Sequence, residues 1–191
     1  MSKFLNQLYE EHRLIGAVLH GMRYLIDSKR ERNQHVDTKV FRAMLYYLDV
    51  FPERVHHRKE EEILFRALRH HPDESGGAID DLRREHESGE RAIRGLEQAL
   101  VRFEEGGDAE FAAFATAADH YIARYWDHMS REERVVMPLA EKVLSIEEWR
   151  EIEAAFARDQ DPLKGASTED YRELFSRIVN IAPPPIGLGA G

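Results

Sequence analysis

The sequence predicts an all-α protein, an antiparallel up-down four-helix bundle with two additional shorter C-terminal helices. Three observations carry that prediction. Apolar residues recur at helical spacing through nearly the whole chain. Glycine and proline clusters cut the chain into four long segments and two short ones. The connections between the long segments are short, which forces neighbouring helices to run in opposite directions.

The first helix carries Leu5, Leu8, Ile15, Leu19, Met22 and Ile26 at helical spacing, with Ser2 placed to cap it. The polar stretch 29–35 interrupts the pattern. A second helical run goes from about Val36 to His70 and stops at the sequence HPDESGG. Pro52 sits inside that run and should bend or reset it. The third helix runs from about Ala78 to Glu104, closed by Gly106 and Gly107. Asp108 caps a fourth, which runs to about Leu144 with Pro138 near its end. Ser145 and Glu148 fit a capping box opening a shorter helix to about Asp159. Asp161, Pro162 and Gly165 break the chain again, and Ser167 with Asp170 can cap a last helix to about Asn180. The expected organisation is a bundle over 1–145, a helical extension packed on it over 146–181, and a flexible tail over 182–191.

A chain of 191 residues suits one domain with a core large enough to enclose a site. Its 42% hydrophobic and 33% charged residues are the balance of a globular chain, not a disordered one. The net charge of −9 offers no basic footprint, so no nucleic acid is expected as a partner. No apolar run approaches the roughly 20 residues that span a bilayer. The start, MSKFLNQLYEEHRL, lacks the apolar centre of a secretory signal, and the expected location is cytoplasmic, with no membrane partner. The absence of cysteine excludes disulfides, thiolate metal sites and thiol catalysis. Any metal must be held by carboxylates and by the 10 histidines.

Helical phase selects among those histidines. His12 falls on the apolar face of the first helix, with His20 at its edge. On the second, His57 lies with Val50, Leu64 and Leu68, and Glu61 follows one turn later on the same face. His56 and Glu60 turn toward the opposite edge, as the competing assignment. On the third helix His86 lies with Ile79, Leu82, Ile93 and Leu100, and Glu90 sits one turn on. On the fourth, His128 lies with Phe114, Tyr121 and Leu139, and Glu132 follows one turn later. Tyr121 and Tyr125 share that face, as core aromatics or as hydrogen-bond partners of a site.

A single histidine on an apolar face is most often an ordinary core residue. Buried carboxylates are rarer, because desolvating the anion costs several kcal/mol unless it is paired or metal-bound. Four inward histidines and two inward glutamates make a costly set for structure alone. As metal donors they fit two ions, with His12, His57, His86 and His128 terminal and Glu61 and Glu132 bridging. A bridging oxo or hydroxo group and an open position would complete the coordination. Imidazole and carboxylate suit iron, manganese or zinc without choosing among them.

These residues resemble the hemerythrin-like, or HHE cation-binding, domains of bacterial type. The resemblance rests on EEHRLI around His12, FPERVHHRKEEEILFRAL around His57, REHESGE around His86 and YWDHMSREERVVMPLA around His128. It covers roughly residues 5–145, and the segment SIEEWREIEAAFARDQDPL resembles the tail that often follows such domains. It implies two iron ions and a small diatomic or peroxide ligand. One departure stands out: the oxygen-carrying hemerythrins place two histidines four apart on the third helix and a histidine–aspartate pair on the fourth. Here Leu82 stands four residues before His86, and the fourth helix carries Glu132. A histidine-poor, carboxylate-rich centre is therefore expected. It would react with oxygen, peroxide or nitric oxide as a di-iron oxidase, a peroxidase or a nitric oxide-handling protein. The alternatives are an iron- or oxygen-dependent sensor read by a protein partner, and a reversible oxygen-binding protein.

Overall fold

The computed structural model describes residues 2–71, 77–159 and 168–189. Helix α1 (Lys3–Arg32) opens on Ser2, whose hydroxyl accepts from Leu5 N–H at 3.0 Å. It closes at Asn33, which takes the left-handed conformation (φ 50°) and returns its N–H to Lys29 O. Asp37 caps α2 by accepting from Lys39 N–H at 2.9 Å. Helix α2 is composite: α-helical over Thr38–Leu48, π-helical over Asp49–His56, α-helical over His57–Lys59, π-helical over Glu60–Phe65 and α-helical over Arg66–Leu68. Helix α3 (Ala78–Gly106) passes through Gly107 (φ 64°), where an L side chain would be strained, directly into α4. Helix α4 is α-helical over Asp108–Arg131, π-helical over Glu132–Val136 and α-helical again over Met137–Val143. Helices α5 (Ile146–Asp159) and α6 (Thr168–Ile181) complete the chain.

Two of the three described π-helical segments accompany a proline. Pro52 has no N–H, and its ring would collide with the carbonyl four residues back in a regular α-helix. The chain widens instead, and His57 N–H reaches Pro52 O five residues earlier. In α4 the wide turn stands just before Pro138, with Met137 N–H bonded to Glu132 O. Such wide turns change the direction in which the following side chains point, and they concentrate at functional sites.

Helices α1 to α4 form the bundle: α3 packs along α4, α2 along α3, and α1 against both α2 and α4. Helix α5 crosses α1 and the second π-helical segment of α2, and α6 lies on α2. The Ser145–Glu148 capping box forms as expected, with Ser145 N–H and Oγ both 2.8 Å from Glu148 Oε2. The loop at 72–76, the break at Asp161, Pro162 and Gly165, and the capping side chains of Ser167 and Asp170 lie outside the described residues.

The apolar core falls into two clusters. One gathers Ile15, Phe41, Phe51, Ile93, Phe114 and Tyr125 with their neighbours. The other gathers Phe4, Leu8, Phe65, Leu82 and Val136 with theirs. Between them each bundle helix contributes polar residues: His12, then His56, His57 and Glu60, then His86, then His128 and Glu132. Each fully buried Leu, Ile or Phe in these clusters contributes about 1.5–3 kcal/mol of favourable burial.

The tail expected to be flexible turns back on α6 as far as it is described. Ala182 is fully buried, Leu188 N–H bonds Val179 O at 2.8 Å, and Gly189 N–H bonds Ala182 O at 2.8 Å. A Cβ at Gly187 would stand 2.2 Å from Val179 O, so glycine permits that close approach. No helix among the described residues is long and apolar enough to cross a membrane.

Candidate metal centre

Two groups of donors meet in the polar layer. His12, His56, Glu60 and Glu132 form one; His57, Glu60, His86 and His128 form the other. The ring nitrogens His12 Nε2 and His56 Nε2 stand 3.1 Å apart, as do His86 Nε2 and His128 Nε2. Glu60 turns Oε1 toward His56 (3.4 Å) and Oε2 toward His86 (3.5 Å). Glu132 turns Oε2 toward His12 (3.3 Å) and Oε1 toward His128 (3.1 Å). Each carboxylate therefore offers one oxygen to each histidine group, the disposition of a bridge.

The opposite side of the histidine rings is held by a different set of acids. His12 Nδ1 donates to Glu133 (2.8 Å), His56 Nδ1 to Glu11 (2.8 Å), His86 Nδ1 to Glu61 (3.1 Å) and His128 Nδ1 to Glu85 (2.8 Å). A proton fixed on Nδ1 leaves Nε2 as a free lone pair aimed at the centre, and raises the basicity of the ring. Three of these acids are anchored by cations: Glu11 by the buried Lys59, Glu61 by Arg83 (3.0 Å) and Glu85 by Arg131. His57 differs. Its Nδ1 stands 3.3 Å from Glu53 Oε2 without a hydrogen bond, and its Nε2 and Tyr125 OH share a hydrogen bond at 2.9 Å. Tyr121 OH in turn donates to Glu53 at 3.2 Å.

The fit to metal is tested by the carboxylates. Glu60 and Glu132 are 0% and 1% exposed, and none of their four oxygens has a hydrogen-bond partner. A buried anion left so costs several kcal/mol unless a cation sits against it. Without one, burial and then the neighbouring Glu132 push the Glu60 carboxyl well above the usual range. Burial also opposes ionisation of Glu132, but His128, His12 and His86 outweigh it and hold that group well below. His12 and His128 resist their own burial, driven up to about 9 chiefly by Glu132. Burial keeps His56 neutral, down to about 4, and likewise holds His57 well below the ordinary imidazole value. Nitrogen and oxygen donors of this kind suit iron, manganese or zinc.

Of the residues expected from helical phase, the structure brings together His12, His57, His86, His128 and Glu132. Glu61 is corrected: it lies outside both groups, its side chain 25% exposed, as the outer partner of His86. Glu60 takes the inward place, and His56 and His57 both face the centre, because the wide turns around Pro52 and Glu60 shift the phase of α2. The two groups together contain five imidazoles. Glu90 pairs with Arg94 on an exposed surface. Tyr121 and Tyr125, which the sequence leaves open between core aromatics and hydrogen-bond partners, lie in the core and also bond Glu53 and His57. Sequence reasoning also missed the outer acids. Their one signal is a glutamate beside a ligand position (Glu11 beside His12, Glu85 beside His86), but each serves the histidine of another helix.

The family model described as the hemerythrin HHE cation binding domain matches residues 3–140. No curated protein and no solved structure matches the chain.

Proposed function

Because the chain belongs to the hemerythrin HHE cation-binding family, we propose that its polar layer holds two iron ions and reacts with a small oxidant such as oxygen, peroxide or nitric oxide. The observation that carries the two-ion reading is the pair of buried carboxylates, Glu60 and Glu132, each with one unpartnered oxygen toward either histidine group. His57, His86 and His128 would hold one ion and His12 and His56 the other, with both glutamates shared. The His12–His56 group offers one imidazole fewer, so a small ligand would find room on that side. Bound there, iron supplies redox electrons and a position for a small ligand.

The protein's own groups bias that chemistry. Four imidazoles donate to carboxylates, which makes the rings better electron donors and favours the more positive metal charge. Burial of every donor but the half-buried His86 limits bulk water at the centre and strengthens each electrostatic contact within it. A second reading, reversible oxygen binding, is favoured by the five-imidazole donor set. The test is anaerobic loading with ferrous iron, metal analysis, and absorption spectroscopy on mixing with oxygen, peroxide or nitric oxide. Two ions per chain and a reagent-dependent spectral change support the proposal. A plateau at one ion sinks it.

A further inference from the structure

Helix α6 lies outside residues 3–140, yet it reaches the π-helical segment that carries His56. Tyr171, almost buried, packs on Phe51 with ring centroids 4.8 Å apart. Phe51 is fully buried, stands 6.5 Å from the His56 ring and lies under Lys59 Nζ at 5.9 Å. Tyr47 closes another side of Phe51 at 5.5 Å and is itself covered by Phe175 of α6 at 6.2 Å.

Phe51 and His56 are five residues apart in a segment whose backbone hydrogen bonds span five residues, which widens the turn and brings their rings to neighbouring positions on one side of the helix. Turning that segment back to a regular α-helix would rotate the two apart and carry His56 from the centre. Phe51 can make that rotation only by leaving the space between Tyr47 and Tyr171. We propose that Tyr171, acting through Phe51, is a positioning residue for His56, and that α6 thereby governs occupancy of the His12–His56 half of the centre. The proposal rests on the two-ion reading above.

The full-length protein, loaded with Mn²⁺ alone, tests it by metal titration and electron paramagnetic resonance. The unaltered chain should bind two ions and show an exchange-coupled pair. Tyr171→Ala should weaken the second ion about 10–100-fold, the scale of removing an outer support of a metal ligand. Its spectrum should become that of an isolated ion, while Tyr171→Phe retains the pair. Phe103→Ala is the stability control: Phe103 packs on Phe111 and Phe114, about 25 Å along α3 from His86 at 1.5 Å per residue, and its loss should leave the pair intact. Should Tyr171→Ala fail to fold, Tyr171→Leu keeps apolar volume without the ring, and the same weakening is expected. A coupled pair at undiminished affinity in the folded Ala or Leu variant overturns the proposal. So does equal loss of the second ion in Phe103→Ala. Fewer than two ions in the unaltered chain would instead overturn the two-ion reading itself.

Discussion

The Glu61 carboxylate accepts a hydrogen bond from His86 Nδ1 at 3.1 Å, on the side of the ring that faces away from the centre. Glu60, its neighbour in sequence, points the other way and stands 3.5 Å from His86 Nε2. One imidazole is thus gripped from both sides by consecutive acids, one as its outer support and one as its companion donor.

Replacing either acid should therefore give different losses. Glu60→Ala should abolish two-ion loading. Glu61→Ala should keep both ions, with affinity weakened about 10–100-fold on the His86 side. Calorimetric metal titration of both variants distinguishes them, and the reverse ranking would make Glu61 the donor.

Removing the metal should make stability fall as pH rises. His12 and His128 are held protonated up to about 9 against their burial, from an ordinary value of 6.5. A raised value means stabilisation that is complete below 6.5 and lost as pH climbs through 9. Glu53, lifted by burial to about 7, works in the same direction at lower pH, losing its contribution by about neutrality. The loaded protein needs those rings deprotonated and binds metal more tightly as pH rises. Scanning calorimetry between pH 6.5 and 9 should show the melting temperatures of the two forms drawing apart. A constant gap would separate metal binding from these histidines.

Two glycines of α3 should respond with opposite signs. A Cβ at Gly89 would stand 2.0 Å from Glu53 Oε2, whereas one at Gly95 meets nothing within 4 Å. Gly95→Ala should gain about 0.5–1 kcal/mol from helix propensity. Gly89→Ala should lose about 1–3 kcal/mol by overpacking. Urea unfolding of both variants checks the contrast.

The ferrous protein should be oxidised by air to a stable ferric form. Glu11, Glu61, Glu85 and Glu133 add anionic character to the imidazoles that they support, beyond Glu60 and Glu132 at the centre. Rings so held are better electron donors, which favours the higher metal charge. Stopped-flow absorption after mixing with oxygen measures it. An oxygenated species that returns to the ferrous state under vacuum would establish the carrier reading instead.

The sequence by itself determined the all-α bundle, its element boundaries to within a few residues, and the helix faces bearing His12, His86, His128 and Glu132. Those follow from local spacing: apolar side chains that must share one face repeat every three to four residues, and caps such as Ser2 and Ser145 act within a single turn. Only the tertiary structure decided that His56 joins His57, that Glu60 replaces Glu61, and which outer acid holds which ring. Pro52 announced a disturbance of phase but not its size, because a wide turn survives only where packing holds it, here Phe51 between Tyr47 and Tyr171. The outer acids escaped for a related reason. Glu11 serves His56 and Glu85 serves His128, across helices, and no periodicity along one helix records a hydrogen bond made to another.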